Sequence, residues 1–167
     1  ACPTSTRRTN VGRMTTILKG DNAAEFELSF TRENLPDVQD GFGDSAWATA
    51  TFRVATDDDS WEESVPCMNL FEFTNLADWL EAVGASAEGA PEISECELLE
   101  PELRFMLVQQ DAETVTIRIH FHIENRPEEF QVDAPTDAPF VDVKLPRIVL
   151  IAAGGTLRDD LQRMSST

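Results

Sequence analysis

The sequence predicts one α+β domain, an antiparallel meander of about seven or eight strands with a central helix and a C-terminal helix covering its apolar face. Three observations lead there. Short runs that alternate apolar and polar residues recur along the chain. The links between the later runs hold only two or three residues, which suits hairpins and not crossovers. One window switches to helical spacing, and a second helix is signalled near the C-terminus. A length of 167 residues with 41% hydrophobic composition fits a single domain that folds without staples. Residues 1–13 are polar and read as a disordered leader or extension, residues 14–164 as the domain, and residues 165–167 as a tail.

Each element follows from its local pattern. Ile17 and Leu18 open a first short strand, and Lys19, Gly20, Asp21 and Asn22 supply turn chemistry. Phe26, Leu28 and Phe30 then alternate with Glu25, Glu27 and Ser29, completing a half-buried hairpin. Pro36, Gly41 and Gly43 among acids mark residues 33–45 as a loop. Ala48, Ala50, Phe52 and Val54 form the inward face of another strand, Asp57, Asp58, Asp59 and Ser60 a turn, and Trp61, Glu63 and Val65 the returning strand. Leu70, Phe73, Leu76, Trp79, Leu80 and Val83 recur at helical spacing, with Gly84 placed as a stop. After a small, polar loop come strands over 93–99, 103–109 and 114–124.

The third of these strands is the most regular. Val115, Ile117, Ile119, Phe121 and Ile123 point one way, and Thr116, Arg118, His120, His122 and Glu124 the other. Pro127, Pro135 and Pro139 make residues 125–139 a loop before a short strand over 140–145. Pro146 is then a suitable first residue for a terminal helix reaching about Met164. Gly154 and Gly155 cost that helix about 2 kcal/mol relative to two alanines. They predict either a kink or a start at Thr156, whose Thr-Leu-Arg-Asp run resembles a capping box.

Charge bounds the function. With 31 Asp and Glu against 13 Lys and Arg, the net charge is −18. Such a surface repels phosphate, which disfavours direct binding to nucleic acid or an anionic membrane and favours a basic protein partner. Two lysines against eleven arginines also fit a GC-rich or salt-adapted background that would raise acidity without any partner. Three cysteines, Cys2, Cys67 and Cys96, with no Cys-x-x-Cys pair point to a reducing compartment, hence the cytoplasm. No stretch approaches the length of a membrane span. The sequence assigns no oligomeric state.

Candidate chemistry is sparse. His120 and His122 stand two apart on one strand face, a spacing that lets two imidazoles share a metal ion with Glu124 as a third ligand. A solvent-facing pair beside Arg118, which repels a cation, is the simpler account, and no nucleophile in a recognisable turn accompanies the pair. Gly154 and Gly155 lack the lysine of a phosphate loop. The expectation is therefore a non-enzyme without cofactor or metal. The strongest signal is acidic: Glu33, Asp37, Asp40 and Asp44 in one loop, Glu128, Glu129, Asp133 and Asp137 in another, and Asp57, Asp58, Asp59, Glu62 and Glu63 on one hairpin. None has EF-hand register. The hairpin set is the predicted partner-binding site, because carboxylates at a hairpin tip reach a partner at little backbone cost. Trp47 and Trp61 would anchor such a patch if exposed, and otherwise belong to the core.

Several segments together resemble WapI-type bacterial immunity proteins. They are Ile17-Leu18-Lys19-Gly20-Asp21-Asn22, the run from Trp61 through Pro66, Cys67 and Met68 into LFEFTNLADWLE at 70–81, Glu100-Pro101-Glu102-Leu103-Arg104-Phe105, and the long strand ending in Arg126-Pro127. The similarity extends from about Met14 to Met164 in the same element order. It implies a cytoplasmic protein that protects its producer by binding the toxin domain of a wall-associated polymorphic toxin, in the best-described cases a nuclease attacking tRNA. It brings no catalytic residues. The first 13 residues and the glycine pair of the last helix depart from the family pattern. The leading expectation is thus an immunity protein that occludes the active or substrate-binding site of a basic nuclease toxin. The alternatives are an acidic nucleic-acid mimic that inhibits a DNA-binding enzyme, and a metal-dependent enzyme using His120 and His122.

Overall fold

The computed structural model describes residues 14–32, 48–67, 71–86, 94–99, 102–121 and 140–165. The chain order is β1 (Met14–Lys19), β2 (Glu25–Arg32), β3 (Ala48–Ala55), β4 (Ser60–Cys67), α1 (Phe71–Ala85), β5 (Glu95–Leu99), β6 (Glu102–Gln110), β7 (Thr114–Phe121), β8 (Phe140–Pro146) and α2 (Arg147–Ser165). The α+β class, the eight strands and the two helices agree with the sequence reading. The strands divide into two antiparallel sheets, β1-β2-β3-β4 and β5-β6-β7-β8, each a sequential meander. The division falls where α1 interrupts the run of strands.

Alternation explains how the two sheets share one core. Phe26, Leu28 and Phe30 of β2 and Ala50, Phe52 and Val54 of β3 are buried on one face of the first sheet. Leu103 and Phe105 of β6, Val115, Ile117, Ile119 and Phe121 of β7, and Val141, Val143 and Leu145 of β8 are buried on one face of the second. Aromatic rings join them: Phe26 meets Phe105 edge-on at 5.6 Å, Phe52 stacks on Phe121 at 6.0 Å, and Trp61 meets Phe121 at 4.6 Å. Helix α1 enters the same core through Phe73, 4.5 Å from Phe30, and Trp79, 6.4 Å from Phe105.

The two helices run antiparallel and unusually close, and two glycines make this possible. A Cβ on Gly154 would lie 2.8 Å from the Ala77 carbonyl oxygen and 2.7 Å from Glu81 Cγ. A Cβ on Gly84 would lie 2.6 Å from Ile151 Cγ1 and 3.0 Å from the Arg147 carbonyl oxygen. Gly84 is therefore a contact residue inside α1 and not its stop, since the helix runs on to Ala85. Helix α2 runs from Arg147 through Gly154 and Gly155, so it does not start late at Thr156. Pro146 ends β8, so α2 begins one residue later than predicted. Farther along the pair, Arg158 donates to Asp78 Oδ1 at 2.7 Å and Glu81 Oε2 at 2.8 Å.

Arg147, at the start of α2, is buried and ties three elements together. Its Nη1 donates to the carbonyls of Val83 (3.0 Å) and Ser86 (2.6 Å), its Nε to the Asp111 carbonyl (2.8 Å) and its Nη2 to Gln110 Oε1 (2.9 Å). Helix α1 has no basic residue in its own last turn, and this guanidinium supplies the missing cation from the other helix. Gln110 can reach it because β6 carries a bulge: Leu107 pairs with Ile117 and Gln109 with Thr116, leaving Val108 as the extra residue. The bulge inverts the alternation, so Gln110 stands opposite core-facing Val115.

Two strand edges are capped in part by side chains. Asn22, in the β1–β2 turn, gives its amide N–H to the Asp142 carbonyl at 2.8 Å and accepts from the Lys144 N–H at 3.2 Å, acting as a strand residue for β8. The Asp21 N–H donates to the Lys144 carbonyl at 2.7 Å. The turn holds Ala23 at φ 62°, a strained left-handed conformation. Across the second sheet, Glu72 accepts from the Leu99 N–H of β5 at 2.7 Å. In the β6–β7 turn, Asp111 accepts from the Thr114 N–H (2.7 Å), the Thr114 hydroxyl (2.8 Å) and the Glu113 N–H (2.9 Å). These bonds, those to Thr114 foremost, hold its carboxyl down at about 2.

Variants at four positions test this account. Arg147→Ala is expected to lower unfolding free energy in urea by about 3 kcal/mol or more, because several acceptors lose a charged donor. Arg147→Lys is expected to recover only part of that loss, since one ammonium cannot match the guanidinium fork. Gly155→Ala, whose Cβ meets nothing nearer than 4.0 Å, is expected to raise the melting temperature, by about 0.5–1 kcal/mol in stability, while Gly154→Ala lowers it. Asp111 has a folded-state value below its ordinary 3.8, so its stabilisation is present above pH 4 and lost as pH falls through about 2. Acid unfolding curves of Asp111→Asn are expected to lack that part of the slope.

Candidate functional site

The β3–β4 hairpin carries the predicted site. Its turn is closed by the Thr56 N–H donating to the Asp59 carbonyl at 2.8 Å, and the Asp59 N–H donates to Thr56 Oγ1 at 3.2 Å. Asp59 also accepts from the Ser60 N–H at 2.7 Å, so its carboxylate is partly committed to the turn. Asp57 and Asp58 complete the tip, and all three aspartates are exposed. Glu62 is exposed on β4 directly opposite Arg53. The next residue across, Glu27, lies 4.0 Å from the Arg53 guanidinium.

Glu63 is separated from this group by the pleat. It stands opposite Phe52 on the core-facing side of β4, between Trp61 and Val65, and is half-buried. The structure thus gathers Asp57, Asp58, Asp59 and Glu62 on the solvent side and places Glu63 on the other face. The hairpin bears five carboxylates against one guanidinium, Arg53. Trp61 is half-buried and packs on Phe52 and Phe121, so its ring belongs largely to the core. The loops that hold the other two acidic clusters, and Trp47, lie outside the described residues.

The outer face of the second sheet is electrically different. Arg118 donates to both oxygens of Asp142, at 2.7 and 2.8 Å, and its guanidinium lies 3.9 Å from the centre of the Phe140 ring. The hydrogen bonds that Arg118 donates to Asp142 raise its already high pKa. Arg104 pairs with Glu95. His120 sits between Arg104 and Phe140 in register, its ring 5.5 Å from that of Phe140. Arg104 stands across from His120, and Arg118 lies two residues before it on β7; both guanidinium groups are paired with carboxylates. His122 lies outside the described residues. Among the described residues, no group of three or more His, Cys, Asp or Glu side chains is arranged to hold a metal ion.

Sequence patterning placed Arg118 and His120 on the solvent side of β7, but it gave no sign that Phe140 would stay exposed under the guanidinium. Cys96 of β5 is half-buried, and desolvation, with Glu72 adding to it, pushes its thiol up to about 11. The thiol is therefore protonated near neutral pH and a poor nucleophile. Cys2 lies outside the described residues, and Cys67 ends β4. Among the described residues, no helix is long and apolar enough to cross a membrane.

Neither the curated proteins nor the solved structures contain a match to this chain. A family model does match, over residues 17–165. That span starts within β1, reaches the last residue of α2, and takes in both sheets, the helix pair and the acidic hairpin. The chain therefore belongs to the immunity protein WapI-like family.

Proposed function

We propose that this protein neutralises a basic nuclease toxin domain in the cytoplasm of the producing cell by seating its acidic hairpin over the toxin's substrate-binding surface. A nuclease must present cations along the path of the phosphates. Carboxylates arranged on a projecting turn attract those cations at a distance and then occupy the ground that the nucleic acid needs. Inhibition of this kind is stoichiometric and involves no chemistry on the toxin.

One observation carries the reading: Asp57, Asp58, Asp59 and Glu62 are all exposed on one hairpin of a chain that belongs to an immunity family and has a net charge of −18. Asp57 and Asp58 need little reorganisation to contact a partner, because the turn between Thr56 and Ser60 is already braced by its own hydrogen bonds.

The test begins with capture from the producing cell's lysate at low and at high salt. A basic toxin domain is expected to be retained at low salt, to elute as salt screens the contact, and to lose its nuclease activity when an equimolar amount of the protein is restored. With that domain in hand, the double variant Asp58→Lys, Glu62→Lys is expected to associate about tenfold more slowly and with a flatter salt dependence. Unchanged rate and salt slope would remove the hairpin from the interface.

A further inference from the structure

We infer that β4 is an open docking edge that takes up an extended basic strand of the protein partner, extending the first sheet by one strand. The observations concern the backbone. Strand β4 is the last in its sheet, and β3 is its strand neighbour among the described residues. In an antiparallel pair, residues alternate between those bonded to the partner strand and those whose N–H and C=O point away. The turn bond from Thr56 N–H to the Asp59 carbonyl sets the phase. Counting from it through the register, Trp61, Glu63, Val65 and Cys67 bond to β3, and Ser60, Glu62, Ser64 and Pro66 point outward. Pro66, which has no N–H to donate, falls in the outward set, as strand chemistry requires. Ser60, Glu62 and Ser64 are exposed.

Other edges carry caps or packing partners. The Asn22 side chain and the Asp21 N–H close on β8, Glu72 closes on β5, and β1 lies against α2 and β8. On β4, the outward N–H groups of Glu62 and Ser64 meet no such cap among the described residues. An open edge is a hazard unless charge controls what joins it. Glu62 on one face and Glu63 on the other repel a second copy of this acidic chain and admit a strand with cations opposite both. Trp61 and Val65, half-buried beside Glu63, offer apolar surface that such a strand would cover. The occupant is therefore an extended segment with adjacent basic residues flanked by apolar ones.

This inference rests on the proposed toxin-binding function for the owner of the strand, but strand capture can be tested without the toxin. The probe is a synthetic strand-length peptide with two adjacent lysines between valines, titrated into the isotope-labelled full chain, with amide exchange read by NMR. In the free protein, Glu62 and Ser64 amides are expected to exchange much faster than those of Glu63 and Val65. With the peptide they are expected to slow about tenfold or more, and the counterpart peptide with glutamates should have no effect. Ser64→Pro removes one outward donor without touching the β3 ladder and is expected to weaken binding about tenfold. Ser64→Ala, which loses only the hydroxyl contact to Thr51, should bind as the parent does.

Binding without protection of Glu62 and Ser64, or no binding, would overturn the inference. So would a toxin domain neutralised equally well by the Ser64→Pro variant, an outcome that leaves the toxin-neutralising reading intact. Protection by the peptide in a protein that neutralises no toxin would uphold the edge and remove the proposed function.

Discussion

The Arg147 guanidinium holds the architecture in its present arrangement. A buried cation survives only where its donors are met, and here carbonyls from the end of α1, the Asp111 carbonyl and the Gln110 side chain meet them. The same contacts satisfy carbonyls that the end of α1 would otherwise leave orphaned. Through this one side chain the start of α2, the end of α1 and the β6–β7 turn have a common reference point. The bulge at Val108 and the close passage of the helices at Gly84 and Gly154 are understandable as the geometry that brings those acceptors within reach.

With the helices clamped, the sheets are closed at their sides by short polar contacts. Asn22 behaves as a detached strand residue on β8, and Glu72 does the same for one N–H of β5. Each satisfies backbone groups that an edge would otherwise leave to solvent or to another chain. Strand β4 is treated differently: among the described residues it has glutamates on both faces and no capping side chain. Charge screens this edge from copies of an equally acidic molecule while leaving it accessible to a chain of opposite sign.

Acidity on this molecule is thus not uniform. Arg104, Arg118 and His120 share the outer face of the second sheet with carboxylates that pair with the two arginines, and Phe140 lies beneath one guanidinium. The β3–β4 hairpin instead carries its carboxylates with one arginine for company. An even excess of Asp and Glu raises solubility, whereas a local excess on a projecting turn creates a directed field. Among the described residues, the contrast is between carboxylates paired with arginines on the second sheet and exposed carboxylates on the β3–β4 turn.

Alternating and helical periods are local properties, so the strand and helix segments, the inward sets such as Phe26, Leu28 and Phe30, and the exposed phase of Arg118 and His120 were legible in the sequence by itself, as was the acidic hairpin. Glycine signals were legible only as interruptions. Their actual role at Gly84 and Gly154 depends on a second helix arriving within contact distance, which no local pattern records. The same holds for the division into two sheets and for the bulge that turns Gln110 inward. Above all it holds for Arg147, a lone cation in the sequence that becomes a buried tie because acceptors 36 to 64 positions away converge on it. Sequence determined what each segment prefers; tertiary structure decided which segments meet, because close approach and hydrogen-bond satisfaction are properties of pairs distant in the chain.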